Sequence, residues 1–134
     1  MSENKWTELN EAGKGYRVED LGRAAFFLIP EKRLKMRFSR GVTVEDVLHE
    51  FLIKEYGAFT TATVPSFGIW RDARGEPVED ACRQYRVAFP GKERIPALLE
   101  ALADILRMTG EECFYFEAGQ YAGLVYPKHN EKTQ

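Results

Sequence analysis

Residues 67–89, FGIWRDARGEPVEDACRQYRVAF, contain two extended arms around a polar turn, and the rest of the chain can be arranged against them. The first arm, residues 68–71, includes Ile and Trp, which favour strands. Residues 72–77, DARGEP, concentrate turn formers. Over residues 84–89 more polar and apolar side chains alternate, which predicts a strand with one buried face. Because about a dozen residues are long for a hairpin connection, we interpret residues 78–82 either as a bulged continuation of the strand or as a loop.

The length of 134 residues predicts a single domain, with a flexible leader at 1–17, an α+β body at 18–127 and a frayed tail at 128–134. Hydrophobic residues make up 44% and charged residues 30%, which excludes wholesale disorder. The formal net charge of −2 gives no general attraction to nucleic acid or to an anionic membrane. The longest apolar run, residues 24–29, is far shorter than the roughly 20 residues that span a bilayer. We therefore expect a cytoplasmic protein with no membrane partner.

The strictest alternation in the chain lies in residues 33–38, RLKMRF, where basic and apolar side chains take turns. This pattern predicts a strand with one core face and one cationic face. Residues 24–29, AAFFLI, fit either a buried strand or the end of a helix, because periodicity cannot decide so short a run. Whether such a strand would exchange with a neighbouring subunit stays open.

Two helices are marked by their ends. Thr43 stands at an N-cap position, apolar residues then recur at helical spacing over residues 44–52, and Gly57 is a natural C-cap. Residues 92–109 form the second helical pattern, which Gly110 ends.

Further strands are predicted over residues 58–64, 112–117 and 121–126. The resulting order of strand, helix, strand pair, helix and strand predicts an α+β fold. Its expected form is a ferredoxin-like βαββαβ sandwich, with an antiparallel sheet, two helices on one face, an extra N-terminal segment and a C-terminal hairpin.

The segments RLKMRFSRG, FGIWRDARGEP, VAFP and ECFYF occur in this order between residues 33 and 126. Together they resemble an uncharacterised family of small bacterial ferredoxin-like domains that carry a G-x-W-R-D-x-x-G hairpin. The motif itself consists of Gly68, Trp70, Arg71, Asp72 and Gly75. The resemblance implies the ferredoxin-like fold, and it implies no activity.

The predicted cationic face would hold Lys35 and Arg37, with Arg86 on a neighbouring strand. Like charges side by side repel, so such a face needs carboxylates, a partner subunit or an anionic ligand nearby. Three interpretations stay open: a solvated face, a homodimer interface across the open sheet, and an anion or nucleic-acid platform. Nucleic acid is disfavoured, since the run of stacking aromatic residues typical of RNA-recognition domains is missing.

The catalytic residues are unknown from the sequence, because no GxSxG, P-loop or GxGxxG motif occurs. His49 lacks the second histidine of an HExxH zinc helix and is predicted on the polar side of its helix. Cys82 and Cys113 are far apart and are expected to be reduced thiols, so we predict neither metal nor cofactor. The residues chosen as ligand or interface candidates are Lys35, Arg37, Trp70, Arg71, Asp72, Arg86 and Tyr115. Of these, Trp70 and Tyr115 would wall a small-molecule pocket together with Tyr85.

Two functions follow from these observations. The first is a small non-catalytic binding or interaction module that forms a homodimer through its open sheet. The alternative is a dimeric α+β barrel, an enzyme or binder acting on a small organic molecule, with the acidic residues of 72–80 or Tyr115 transferring the proton. The sequence favours the first, because no catalytic constellation stands out.

Overall fold

The computed structural model describes residues 5–38, 40–62, 66–71, 74–89, 91–119 and 121–128. Within these residues the chain forms four α-helices: α1 (Lys5–Ala12), α2 (Glu31–Leu34), α3 (Val44–Tyr56) and α4 (Ile95–Thr109). It also forms eight strands: β1 (Arg23–Pro30), β2 (Arg37–Phe38), β3 (Val42–Thr43), β4 (Thr60–Thr61), β5 (Ser66–Arg71), β6 (Pro77–Phe89), β7 (Phe114–Ala118) and β8 (Tyr121–Val125).

Six of these strands form one antiparallel sheet in the order β4-β6-β1-β7-β8, with β5 also paired to β6. Strand β1 is central, because β6 pairs along its whole length on one side and β7 pairs with it on the other. Strands β2 and β3 form a separate two-stranded ribbon. The predicted α+β fold with an antiparallel sheet is confirmed.

The core lies between one face of the sheet and helices α3 and α4. Alternate side chains of β1 and β6 point into it, as the two-residue period of a strand requires. The fully buried members from these four elements include Phe27, Ile29, Tyr85, Phe89, Leu48, Leu52, Leu98 and Leu102. Burial of each large apolar side chain contributes roughly 1.5–3 kcal/mol. The opposite face of the sheet is open, since Ala24, Arg86 and Tyr115 on it are exposed.

Helix α3 begins and ends where the sequence predicts. The Thr43 hydroxyl accepts a hydrogen bond from the Asp46 amide at 3.1 Å, and the Asp46 carboxylate accepts one from the Thr43 amide at 3.2 Å. Gly57 ends the helix with a φ of 83°, a conformation that glycine adopts without strain. Gly110 ends α4 in the same way.

The strand predicted over residues 33–38 is wrong. Pro30 ends β1 at a φ of −56°, which also suits the start of a helix, and Glu31–Leu34 forms the single turn α2. Arg, Leu, Lys and Met are all strong helix formers, and six alternating residues are too few to outweigh them. Leu34 is fully buried from the helical turn, so its apolar character serves the core without a strand.

Of the two interpretations of residues 78–82, the continuation of the strand is the one that the structure shows. Strand β6 begins at Pro77, so residues 78–82 continue the strand and form no loop. Strand β5 pairs with its first half, from Pro77 to Cys82, and β1 pairs with its second half, from Cys82 to Phe89. Two different neighbours therefore stabilise one strand of 13 residues.

The ends of the chain add elements that the sequence did not predict. Helix α1 lies in the segment predicted as a flexible leader. The Asn10 side chain bonds to the backbone of Val18 through both of its polar atoms, at 2.6 and 2.8 Å. The predicted strand at 58–64 is limited to Thr60–Thr61 among the described residues, and residues 63–64 lie outside them. Across the described parts of the chain, no helix combines the length and the apolar character needed to cross a membrane.

Candidate functional site

Helix α3 lies along strand β6, and two pairs of polar side chains meet between them. Glu45 and His49 are one helical turn apart, and Arg83 and Tyr85 are two residues apart on the same face of the strand. The first pair is separated by about 6 Å along the helix and the second by about 7 Å along the strand, so the two pairs can face each other. Glu45 forms an ion pair with Arg83, and His49 Nε2 lies 2.8 Å from the Tyr85 hydroxyl oxygen.

Arg83 also forms an ion pair with a second carboxylate, that of Glu31. Its Nε and Nη2 atoms donate to the two oxygens of Glu31 at 3.1 and 3.2 Å, while Nη1 donates to Glu45. Helix α2 supplies Glu31, since it follows β1 directly. The three side chains are 17% (Arg83), 20% (Glu31) and 33% (Glu45) exposed, so solvent and small solutes can reach them.

The charges of this trio do not cancel. Burial by itself would lower the pKa of Arg83, but the hydrogen bonds to Glu31 and Glu45 outweigh it and raise the pKa above its usual value. The guanidinium therefore stays charged at every pH at which the protein is folded. Two carboxylates facing one guanidinium leave the trio one negative charge in surplus.

The His49–Tyr85 pair is uncharged at neutral pH. Burial raises the pKa of Tyr85 to about 12, although the nearby charge of Arg83 acts in the opposite direction. Burial lowers the pKa of His49, more than nearby Glu45 raises it. The prediction that His49 lies on the polar side of its helix is therefore wrong, because its ring is half-buried against β6.

The acidity of the two partners indicates which atom holds the shared proton. A phenol hydroxyl is the better donor and a neutral imidazole nitrogen the better acceptor, so the Tyr85 hydroxyl proton points at His49. We therefore assign the neutral His49 ring as accepting at Nε2 and carrying its own proton on Nδ1. Its Nε2 lone pair is taken by the Tyr85 hydroxyl, so the ring can accept a proton from a bound molecule only when that hydroxyl turns away.

Aromatic rings line the same region. The Phe59 ring centroid lies 4.8 Å from that of His49 and 6.1 Å from that of Tyr85. On its other side, Tyr85 stacks on Phe27 at 5.2 Å with an interplanar angle of 7°. Tyr85 is fully buried between these rings, so the site presents to solvent the carboxylate-rich trio and the half-buried rings of His49 and Phe59. Carboxylates and aromatic ring faces both attract organic cations.

Two of the residues chosen from the sequence come together elsewhere, on the open face of the sheet. The Arg86 guanidinium lies 5.3 Å from the centre of the Phe26 ring, and the Tyr115 ring meets Phe26 edge-on at 6.5 Å. The Tyr115 hydroxyl donates to Glu117 at 2.7 Å. These side chains form an exposed cluster on strands β6, β1 and β7.

The other chosen residues do not join this cluster. Lys35 and Arg37 are exposed beside α2 and in β2, outside the main sheet, so the predicted cationic sheet face is wrong. Trp70 and Arg71 lie in strand β5, and Asp72 lies outside the described residues.

A joint pocket wall from Tyr85 and Tyr115 is excluded by the sheet itself. Tyr85 is buried under the helices, while Tyr115 is on the open face and exposed. Residues on opposite faces of one sheet cannot line one side of a pocket.

Sequence reasoning missed Glu31, Glu45 and Phe59 as site residues. The available signal was the i, i+4 spacing of Glu45 and His49 together with the i, i+2 spacing of Arg83 and Tyr85. These two spacings indicate a site only once α3 is known to pack along β6.

A concave region lies between α4 and β8, with a volume of about 430 Å³. It is mainly apolar, and Leu99, Phe116, Leu124 and Tyr126 line it beside Arg107. In the described parts of the chain, no three His, Cys, Asp or Glu side chains are grouped to hold a metal ion. Cys82 and Cys113 are both thiols and are not joined in a disulfide.

No protein-family model matches this chain, and no curated protein sequence matches it. Two solved structures have a similar fold. One is a phage SAM lyase in complex with S-methyl-5'-thioadenosine, which is 15% identical, with a TM-score of 0.55 over 89% of this chain and all of that one. The other is a phage SAM lyase in its apo state, which is 17% identical, with a TM-score of 0.54 over 87% of this chain and all of that one. At these identities the likeness concerns the fold.

Proposed function

We propose that this protein is an enzyme acting on a small organic cation that carries an aromatic group, and that S-adenosylmethionine (SAM) is the substrate to test first. The observation that carries this proposal is the Glu31–Arg83–Glu45 trio, with its surplus negative charge, beside the rings of His49, Tyr85 and Phe59. The fold likeness to a SAM lyase supports the choice of substrate. This is the small-molecule alternative of the sequence analysis, and the site favours it over a non-catalytic module.

The charge of the substrate is the reason for the fit. SAM carries a positive sulfonium between an adenosine and an amino-acid arm, so carboxylates and ring faces attract the sulfur while a ring can stack on the base. Release of S-methyl-5'-thioadenosine moves the electron pair of one carbon–sulfur bond onto sulfur and makes it neutral. The carbon of the amino-acid arm that loses this bond must form a new one. Either an oxygen of the arm's own carboxylate attacks it, or an adjacent carbon loses a proton to a base and a double bond forms. Neutral His49 is the base that this site offers, and it accepts the proton at Nε2 when the Tyr85 hydroxyl turns away.

We further propose that the fold is the ferredoxin-like βαββαβ sandwich, with β8 as an addition. The support is the order β4-β6-β1-β7, with α3 following β1 and α4 following β6. The thiol state of Cys82 and Cys113 fits a reducing compartment such as the cytoplasm.

The experiment measures binding of SAM and of S-methyl-5'-thioadenosine by calorimetry, and release of the latter from SAM by chromatography. We expect Glu45→Gln to weaken SAM binding by roughly 1–2 kcal/mol, about five- to thirtyfold, since one partly screened charge at contact distance is removed. Binding of the uncharged thioadenosine should change much less.

The matched control is Glu50→Gln, which makes the same change at an exposed position of α3. It should leave both affinities unchanged. Absence of SAM binding at millimolar concentration would remove the proposed substrate. Binding without product release would leave a SAM-binding protein and remove the enzyme.

A second candidate function rests on the open face. The exposed Arg86–Phe26–Tyr115 cluster fits the interaction module that associates through its sheet. Under this proposal Arg86→Glu should abolish self-association, with no effect on SAM binding. An unchanged molecular mass in solution would exclude the cluster as an interface.

A further inference from the structure

Strand β8 is the outer strand of the sheet, and within the described residues nothing pairs with its far side. Its hairpin closes with Ala118 opposite Tyr121, so the backbone groups of Tyr121, Gly123 and Val125 bond to β7. Those of Ala122 and Leu124 therefore point away from the sheet.

This edge lacks the features that normally block strand addition. Natural edge strands carry charges, prolines or bulges, or lie under a helix or loop. The sequence of β8, YAGLV, has neither charge nor proline, and its pairing with β7 is continuous. Tyr121 is 75% exposed and Leu124 is 55% exposed. Pro127 follows just beyond the strand and would confine further pairing to about this length.

Gly123 adds an independent observation. Its φ lies outside the left-handed region, and a Cβ placed on it would meet no atom within 4 Å. The single chain thus gives no reason for glycine here, although glycine weakens a strand by roughly 0.5–1 kcal/mol relative to alanine. A glycine inside a strand often marks the close approach of another backbone.

We propose that β8 pairs with the β8 strand of a second copy of this chain, antiparallel about a twofold axis at Gly123. In this register Ala122 faces Leu124 of the partner subunit and Tyr121 faces Val125 of the partner subunit, so every cross-strand pair is apolar. The outward backbone groups of Ala122 and Leu124 supply the hydrogen bonds of both Ala–Leu pairs. Gly123 faces Gly123 of the partner subunit in a non-hydrogen-bonded pair, where the two Cα atoms are about 4.5 Å apart. The two sheets then form one continuous sheet.

This proposal is independent of the proposed substrate. The partner is a second copy because the strand is complementary to itself, and a twofold interface requires that property. The surface also differs from the open face predicted from the sequence, since it uses the edge of the sheet.

The experiment is light scattering and sedimentation over a range of concentrations from micromolar upward. The wild-type protein should reach twice the chain mass of 15.4 kDa. The double variant Ala122→Lys, Leu124→Lys places lysine opposite lysine in both pairs and should remain at the mass of one chain. A mixture with Ala122→Glu, Leu124→Glu should restore the double mass, because each lysine then faces a glutamate.

The control is Ile53→Lys, Met108→Lys, which changes two exposed apolar side chains on α3 and α4 and should remain a dimer. Circular dichroism and melting temperature verify that each variant is folded. A wild-type protein that stays monomeric, or a lysine double variant that still dimerises, would overturn the proposal. Dimers that are lost with Arg86→Glu and kept with the lysine pair would place the interface on the open face instead.

Discussion

Replacing Tyr85 by phenylalanine isolates the hydrogen bond at the centre of the site. The ring keeps its stacking on Phe27 at 5.2 Å and its contact with Phe59, since only the hydroxyl is removed. What is lost is the 2.8 Å bond to His49. The variant therefore separates this polar contact from the packing of a fully buried ring.

The expected cost follows from the surroundings of His49. A typical net hydrogen bond contributes about 0.5–1.5 kcal/mol, and leaving a fully buried partner unpaired costs about 1–3 kcal/mol. The His49 ring is only half-buried, so water can replace part of the lost bond. We expect about 1 kcal/mol, or a fall of roughly 4 °C in melting temperature for a domain of this size.

The assay is urea unfolding in a double-mutant cycle of Tyr85→Phe with His49→Leu. The coupling energy should be about 0.5–1.5 kcal/mol, because the two groups contact each other directly. Tyr56→Phe is the control: its hydroxyl donates to the Arg94 carbonyl at 3.0 Å, so its coupling to His49→Leu should be near zero. Nitrogen-15 spectra of wild-type His49 should show the proton on Nδ1, and in Tyr85→Phe a mixture of tautomers.

Two results would refute this reasoning. A coupling energy below about 0.3 kcal/mol is within ordinary non-additivity and would mean that the bond contributes nothing. A cost above about 3 kcal/mol would resemble the loss of a whole buried side chain and would mean that the ring itself has moved.

Three further predictions concern stability. The pKa of His49 is lowered in the folded protein, so the unfolded chain takes up a proton more readily. The melting temperature should therefore fall as the pH drops below about 6.5, and it should fall less in His49→Gln. Thr43→Ala removes the N-cap of α3 and should lower the free energy of unfolding in urea by about 1 kcal/mol. Hydrogen bonds with Thr43 hold the pKa of Asp46 below its usual value, so an NMR titration of the variant should show that pKa raised. Gly110→Ala forces a side chain into a backbone with a φ of 75° and should cost about 1 kcal/mol, whereas Gly123→Ala should leave the melting temperature of the single chain unchanged or higher.

Local signals in the sequence were sufficient to predict the two long helices, α3 and α4. The Thr43 cap, the apolar spacing of residues 44–52 and the glycines at 57 and 110 predict α3 and the end of α4 correctly. These features act within a few residues along the chain, so neighbouring sequence determines them.

The strands required tertiary information. Residues 24–29 form the central strand only because β6 and β7 pair on either side of them, and the sequence cannot specify those partners. Residues 33–38 alternate as a strand should, yet Pro30 and the helical preference of the next four residues begin α2. Strand β6 extends back to Pro77 because β5 supplies a partner there.

The sequence by itself determined the α+β class, the two long helices and the chemical nature of each side chain. The tertiary structure alone decided that Arg83 lies between Glu31 and Glu45, and that His49 meets Tyr85. The physical reason is distance along the chain. Caps and turns depend on neighbouring residues, whereas this site joins groups 36 to 52 residues apart, which meet only when α2 and α3 pack against β6.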